Sequence, residues 1–232
     1  SLHDKDYAAT VRLGASTVTD DAEGDATGIT DASGIDDEAI IAAMARQTGE
    51  IQQVPTAVSA IKINGQRAYA KVRAGEDVVL QPRAVTVSRF EATETRRHDE
   101  VIDVDVEVTC SSGTYVRALA RDVGADLGLG GHLTALRRTR IGPFDLTAAC
   151  PDIFADDADA PTPMTMAEAA RLSFPVVEVT DDQEAAIRVG RRVDRIVPAD
   201  VTAMIAGTGE MLALYRPDGE RRGQSRAICV LV

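Results

Sequence analysis

Between Ile102 and Thr109 an apolar β-branched side chain occupies every second position (Ile102, Val104, Val106, Val108), with Asp103, Asp105 and Glu107 between them. A period of two sends the hydrocarbons to one face of a strand and the carboxylates to the other. The segment therefore belongs in a sheet with one buried and one wet face, which is the signature of antiparallel pairing and excludes an all-helical fold. Tyr7, Ala9, Val11 and Leu13 repeat the pattern until Gly14 ends it, and Val85 to Phe90 reads as a third strand.

Helical periodicity alternates with these strands. Asp36 and Asp37 open a helix through Ile40, Ile41 and Met44 that stops at Gly49, with acidic residues at its positive end. Ser111-Ser112-Gly113-Thr114 turns the chain into a helix over Tyr115 to Leu127, for which Thr114 is the expected N-cap, and Arg117 and Arg121 stand four apart on one face. His132 to Arg138 reads as a short helix, Tyr69 to Gly75 as another, Ser16 to Gly34 as a long polar loop, and Asn64-Gly65 as a turn between paired strands. Pro151 to Pro163 is acidic and rich in Ala and Pro, the composition of a linker. Short strands and tight turns follow from Pro175. The expected fold class is α+β: a mixed, mainly antiparallel sheet with flanking helices over residues 1–150, a linker and helix over 151–172, and a small β-rich second domain over 173–232.

Charge is unevenly placed. The net charge is −12, yet residues 62–97 carry 8 basic and 4 acidic side chains where residues 1–50 carry 3 and 11. Arginine makes up 22 of the 25 basic residues, and its planar fork suits phosphate. A groove needs only a local positive field, so global acidity does not exclude a nucleic-acid partner. No apolar run approaches the ~20 residues of a membrane span, and no apolar segment of signal-peptide type follows Ser1. The three cysteines, Cys110, Cys150 and Cys229, lack metal-knuckle or disulfide spacing, and a reduced cytoplasm is the expected setting.

Most motifs dissolve on inspection. Asp20-Asp21-Ala22-Glu23-Gly24-Asp25 lacks the EF-hand order and reads as a solvated acidic loop. Gly128 to Gly131 follows a helix where a dinucleotide loop requires a strand. His3, His98 and His132 share no ligand spacing, and no nucleophile elbow is present. What remains is Tyr7 at a strand start, Lys62, and Tyr115 with Arg117 at a strand-to-helix turn: aromatic faces for stacking a flipped base beside cations for a phosphate backbone. Composition and spacing lead only as far as a two-domain protein, with RNA binding as one open reading.

Five blocks, DKDYAATVRLG, TDDAEG, VPTAVSAIKINGQRAYAKVRAGE, CSSGTYVRALARDVGADLG and GGHLTALRRTRIGPF, occur in an order and spacing that closely resemble the bacterial TruB family of tRNA pseudouridine-55 synthases. The resemblance spans Asp4 to about Leu146, and the arginine-rich, lysine-poor character is similar to actinobacterial members. It implies a pseudouridine-synthase sheet followed, from about Phe174, by a small RNA-binding domain of PUA type. It also implies isomerisation of uridine 55 in the tRNA T arm by base flipping, without metal or cofactor, in a cytoplasmic monomer needing no protein partner and no membrane. By resemblance, Tyr7 stacks on the target base and Arg117 pairs with the catalytic aspartate. Tyr115, Leu136 and Lys62 are implied to face the substrate, and Arg67, Lys71, Arg73 and Arg83 to belong to a segment that closes on the RNA stem. The family's aspartate lies in a Gly-Ala-Leu-Asp-Pro type motif upstream of the tyrosine block. No such motif occurs here, Asp4 and Asp6 do not match it in context, and the expectation is an N-terminally truncated chain that is inactive alone. A non-catalytic T-arm RNA-binding or chaperone module is the alternative reading. Guide-RNA-dependent relatives are a further one, and the sequence shows none of the extensions expected of them.

Overall fold

The computed structural model describes residues 4–56, 62–63, 66–67, 80–149 and 162–232. The chain divides into two compact units, Ser1–Ala148 and Ala149–Val232.

The first unit runs β1 (Lys5–Leu13), β2 (Ala15–Thr17), β3 (Ala26–Ile29), α1 (Asp37–Arg46), β4 (Gly49–Gln53), β5 (Lys62–Ile63), β6 (Gln66–Arg67), β7 (Arg83–His98), β8 (Val101–Cys110), α2 (Val116–Asp126), β9 (Gly131–Ile141) and β10 (Phe144–Asp145). Six strands form one sheet in the order β10-β9-β1-β8-β7-β4, antiparallel at every pair. β1 lies inside it, between β9 and β8, and Tyr7 stands opposite both Arg138 and Val108. The alternation read from the sequence holds. Ala9, Val11, Leu13, Ile102, Val104, Val106 and Val108 are buried and pack with Ile40 and Met44 of α1 and Leu119 and Val123 of α2. At 10 residues α1 is too short to stand alone, so the burial of Ile40, Ala43 and Met44 holds it in place.

The wet face is tied by cross-strand pairs. Arg12 grips Asp103 through Nε and Nη2, both at 2.7 Å, and Arg140 grips Asp6 at 2.6 and 2.8 Å. Asp105 takes the Thr10 hydroxyl at 2.7 Å and two Arg96 nitrogens at 2.5 and 2.8 Å. Arg96, with Thr10, holds the Asp105 carboxyl down to about 2.

Three local expectations fail, each for a physical reason. The loop over 16–34 contains the hairpin of β2 and β3, which no apolar alternation announces because β3 is exposed throughout and buries no face. The helix expected over His132 to Arg138 is part of strand β9. Its Leu, Ala and Arg favour helix locally, but β9 covers the β1 edge left open by β8. Register shifts opposite Asp6/Tyr7 and Thr10/Val11 break the period of two that would have announced a strand. Thr114 is not the N-cap of α2; Tyr115 holds that position without a side-chain cap bond, and the Thr114 hydroxyl bonds Ser111 O at 2.9 Å. The β7 strand also runs on past Phe90 to His98. The strands flanking Asn64-Gly65 pair, Lys62 with Arg67 and Ile63 with Gln66. The turn itself, Tyr69 to Gly75 and most of the Pro-rich linker lie outside the described residues.

The second unit contains α3 (Met166–Ser173), β11 (Val176–Glu178), α4 (Asp181–Arg188), β12 (Thr202–Ile205), β13 (Met211–Pro217) and β14 (Ser225–Val230). Its sheet is ordered β11-β12-β13-β14, parallel at the first pair and antiparallel afterwards. α4 is an addition to the short strands read from the sequence, and a capping box between Thr180 and Gln183 starts it. Tyr215 is fully buried with Ile187, Met204 and Leu212, and its hydroxyl donates to Arg191 O at 2.6 Å. Among the described residues no helix is long and apolar enough to cross a membrane.

Candidate active site

The entry to α2 is fixed from β4. Gln53, only 2% exposed, accepts the Tyr115 N–H at 2.8 Å and donates to the Tyr115 carbonyl at 3.1 Å, which satisfies both ends of a buried amide. Two residues later Arg117 leaves the first turn of α2, and Arg121 follows one turn on along the same face. Both reach the turn formed by Thr19, Asp20 and Asp21. Arg117 Nη1 donates to Asp21 Oδ2 at 2.7 Å and to the Thr19 carbonyl at 3.1 Å. Arg121 donates from Nη1 to Asp20 Oδ2 at 3.3 Å and from Nη2 to Val54 O at 2.7 Å, while its Nε holds Asp122 at 2.8 Å. On the other side the Leu133 N–H of β9 donates to Asp20 O at 3.0 Å. The acidic turn is thus gripped between the helix and a strand of the sheet.

The adjacent carboxylates are pushed in opposite directions. Burial raises the Asp20 carboxyl, against the Thr56 hydroxyl and the Arg121 and Arg117 charges. Burial also acts to raise Asp21, but the Thr19 hydroxyl at 2.5 Å, the Glu23 N–H at 3.1 Å and Arg117 outweigh it and hold that carboxyl below the usual range. Asp21 is therefore a fixed anion at neutral pH, paired with a fixed cation.

This pair lines a cavity of about 430 Å³ with Ala22, Glu23, Leu133, Thr134, Ala135 and Leu136. Leu133 is 2% exposed at its floor, whereas Leu136 is 49% exposed. Leu136 lies opposite Ala9, and Tyr7 is two positions from Ala9 on β1, so Tyr7 and Leu136 share a face about 7 Å apart along the strand. The Tyr7 phenol is raised by burial, against the opposing influence of Arg138. An ion pair, an apolar wall and a nearby aromatic face together suit a planar polar ring.

Of the residues singled out in the sequence, the structure places Arg117 and Leu136 on this cavity, Tyr7 beside it on the sheet, and Tyr115 at the head of the helix that carries Arg117. The backbones of Lys62 and Arg67 pair in the β5–β6 ladder. Lys71 and Arg73 lie outside the described residues. Asp6 points to the wet face with Arg140, away from Tyr7. Sequence reasoning missed Asp20 and Asp21, taking them for a solvated loop. Two arginines at i and i+4 on a helix that starts inside the protein were the available signal, since partly buried guanidinium groups require anionic partners. A larger hollow of about 590 Å³ beneath Ile41, Met44 and Phe90 contains Glu91 as its one ionisable lining group and lacks such chemistry. No group of three or more potential metal ligands occurs among the described residues.

Residues 1–116 match the model of the TruB family pseudouridylate synthase N-terminal domain, and residues 117–152 match that of the tRNA pseudouridylate synthase B C-terminal domain. The chain is 82% identical over 232 residues to tRNA pseudouridine synthase B of Cutibacterium acnes, covering 100% of this chain and 79% of that protein. It is 49% identical over 218 residues to tRNA pseudouridine synthase B of Corynebacterium aurimucosum, covering 94% and 73%. The solved Cbf5–Nop10–Gar1 complex shares the fold at a TM-score of 0.60 and 23% identity, covering 99% of this chain and 66% of that one.

Proposed function

The chain belongs to the TruB family of tRNA pseudouridine synthases, and on that premise we propose that it acts on uridine 55 in the T arm of tRNA. In this reaction the N1–C1′ bond breaks, the uracil turns within the pocket and a C5–C1′ bond forms; the proton displaced from C5 is balanced by one gained at N1. Nothing is oxidised, so the site has only to flip, hold and reorient a base. The Arg117–Asp21 pair on the wall of the cavity that Leu136 lines carries this reading.

Tyr7 stacks on the flipped base, and Leu136 and Tyr115 bound the space in which it turns. Arg117, held in orientation by Asp21 and the Thr19 carbonyl, keeps the nucleophilic carboxylate of the reaction ionised and aligned. The chain contains no Gly-Ala-Leu-Asp-Pro motif, so that carboxylate is assigned to none of its residues. Lys62 faces the substrate, and Arg67, Lys71 and Arg73 grip stem phosphates. Residues 173–232 form a PUA-like RNA-binding domain joined through the linker and helix of 151–172. The protein works as a cytoplasmic monomer without a protein partner.

The test is pseudouridine formation at the T-arm uridine of an unmodified tRNA transcript by the gene product containing this chain, wild type beside Arg117→Met. The expected outcome is site-specific modification by the wild type and a loss of about 100-fold or more in kcat for the variant, with tRNA affinity retained. Unchanged turnover in the variant would remove Arg117 from the chemistry. Tight T-arm binding by the wild type without pseudouridine would leave the RNA-binding module as the better description.

A further inference from the structure

Asp20 stands one residue before the anion that pairs with Arg117, yet it does not line the cavity. Its backbone is left-handed at φ +59°, a conformation costly for any residue but Gly and least so for Asn and Asp. Strain of that kind persists where surrounding contacts over-determine it. Here the Asp20 side chain is only 13% exposed, Arg121 Nη1 holds its carboxylate, and its carbonyl takes the Leu133 N–H. Arg121 is itself anchored to Val54 O and Asp122, so Asp20 is tied to a cation that cannot drift. The buried Thr56 hydroxyl bonds Thr19 O at 3.4 Å and closes the turn from the remaining side.

Resting on the reading of the site given above, we propose that Asp20 is a positioning residue for the isomerisation: clamped by Arg121, it fixes the left-handed turn that presents Asp21 to Arg117. Arg117 and Arg121, on one helix face, thus divide the work. The first meets the reaction space through Asp21, and the second holds the loop from behind through Asp20. Without the Asp20–Arg121 tie, Asp21 swings and Arg117 loses its fixed orientation, which is costly because misplacement by about 1 Å slows a positioned reaction by about 100-fold.

The informative variant is Asp20→Gly, because glycine is at home at φ +59° and removes the carboxylate without backbone strain. In the gene product containing this chain, Asp20→Gly is expected to melt near the wild type, to lose about 10- to 100-fold in kcat on a tRNA transcript, and to keep KM. Asp20→Asn, which tolerates the same backbone and retains an acceptor, should recover part of that loss. A second readout does not need turnover. In nitrogen-15 spectra the slowed rotation of the Arg117 guanidinium, seen as separate Nη signals in the wild type, should average in Asp20→Gly. Unchanged kcat and unchanged Arg117 signals in a folded Asp20→Gly protein would overturn the proposal. Unfolding of both variants would overturn it too, by making Asp20 a stability residue. An inactive wild type whose Arg117 signals still respond to Asp20→Gly would refute the assigned reaction while supporting the positioning role.

Discussion

Replacing Gly124 by Ala tests whether the site depends on how closely α2 lies against β9. A Cβ built on Gly124 falls 2.5 Å from Gly131 N, 2.6 Å from Gly130 C and 2.7 Å from Gly131 Cα, all backbone, where ordinary contact begins near 3.4 Å. No side chain can swing away, so the helix must withdraw by 3.4 − 2.5, about 0.9 Å. β9 is held between β1 and β10 and is the less movable partner. Arg117 lies seven residues earlier, about 10 Å along the axis of a rigid helix, and inherits most of that displacement. Its 2.7 Å bond to Asp21 would open beyond hydrogen-bond length. Helix propensity alone favours Ala over Gly by about 1 kcal/mol, whereas overpacking against backbone costs about 1–3 kcal/mol. Overpacking is the larger effect, and the net is a loss of up to about 2 kcal/mol, or up to roughly 8 °C in the melting of the first unit. Calorimetry of the variant should show that transition lowered with the second unit's unchanged, and turnover on a tRNA transcript should fall by about 100-fold in kcat. A variant that melts higher, as propensity alone predicts, and keeps full turnover would refute the close-packing account.

The wet face of the sheet should respond to acid. Asp6, Asp103 and Asp105 have folded-state values below their ordinary ones, Asp105 at about 2, chiefly through Arg140, Arg12 and Arg96. A depressed carboxyl stabilises the fold above its unfolded value and loses that contribution as pH falls through the folded one. Stability of the first unit should therefore decline between about pH 4 and pH 2, less steeply in Asp105→Asn; equal slopes in urea titrations would rule out this pair as a source. Tyr7→Phe keeps a stacking face and should retain most turnover, whereas Tyr7→Leu keeps only bulk and should lose it. Equal losses would place the role of Tyr7 in its hydroxyl instead of its ring.

The strands β1 and β8 and the helix α1 were legible because each carries its own period: Tyr7-Ala9-Val11-Leu13, Ile102-Val104-Val106-Val108, and Asp36 ahead of Ile40 and Met44. β9 was not, since its reason to be a strand lies in the open edge of β1 and the register shifts opposite β1 erase its alternation. The candidate site divides in the same way. Arg117, Tyr7 and Leu136 were accessible as residue types in recognisable blocks, whereas Asp20 and Asp21 looked like any solvated acidic turn.

Local chemistry alone therefore determined an antiparallel sheet with one wet face, the helix carrying Arg117 and Arg121, and an uneven clustering of arginine, because periodicity and side-chain type act within a few residues. Only the tertiary structure decided which anions those arginines meet. Asp21 lies 96 residues from Arg117, and a contact across that distance is set by the closing of the sheet, where β9 and α2 enclose the turn that the sequence shows only as polar.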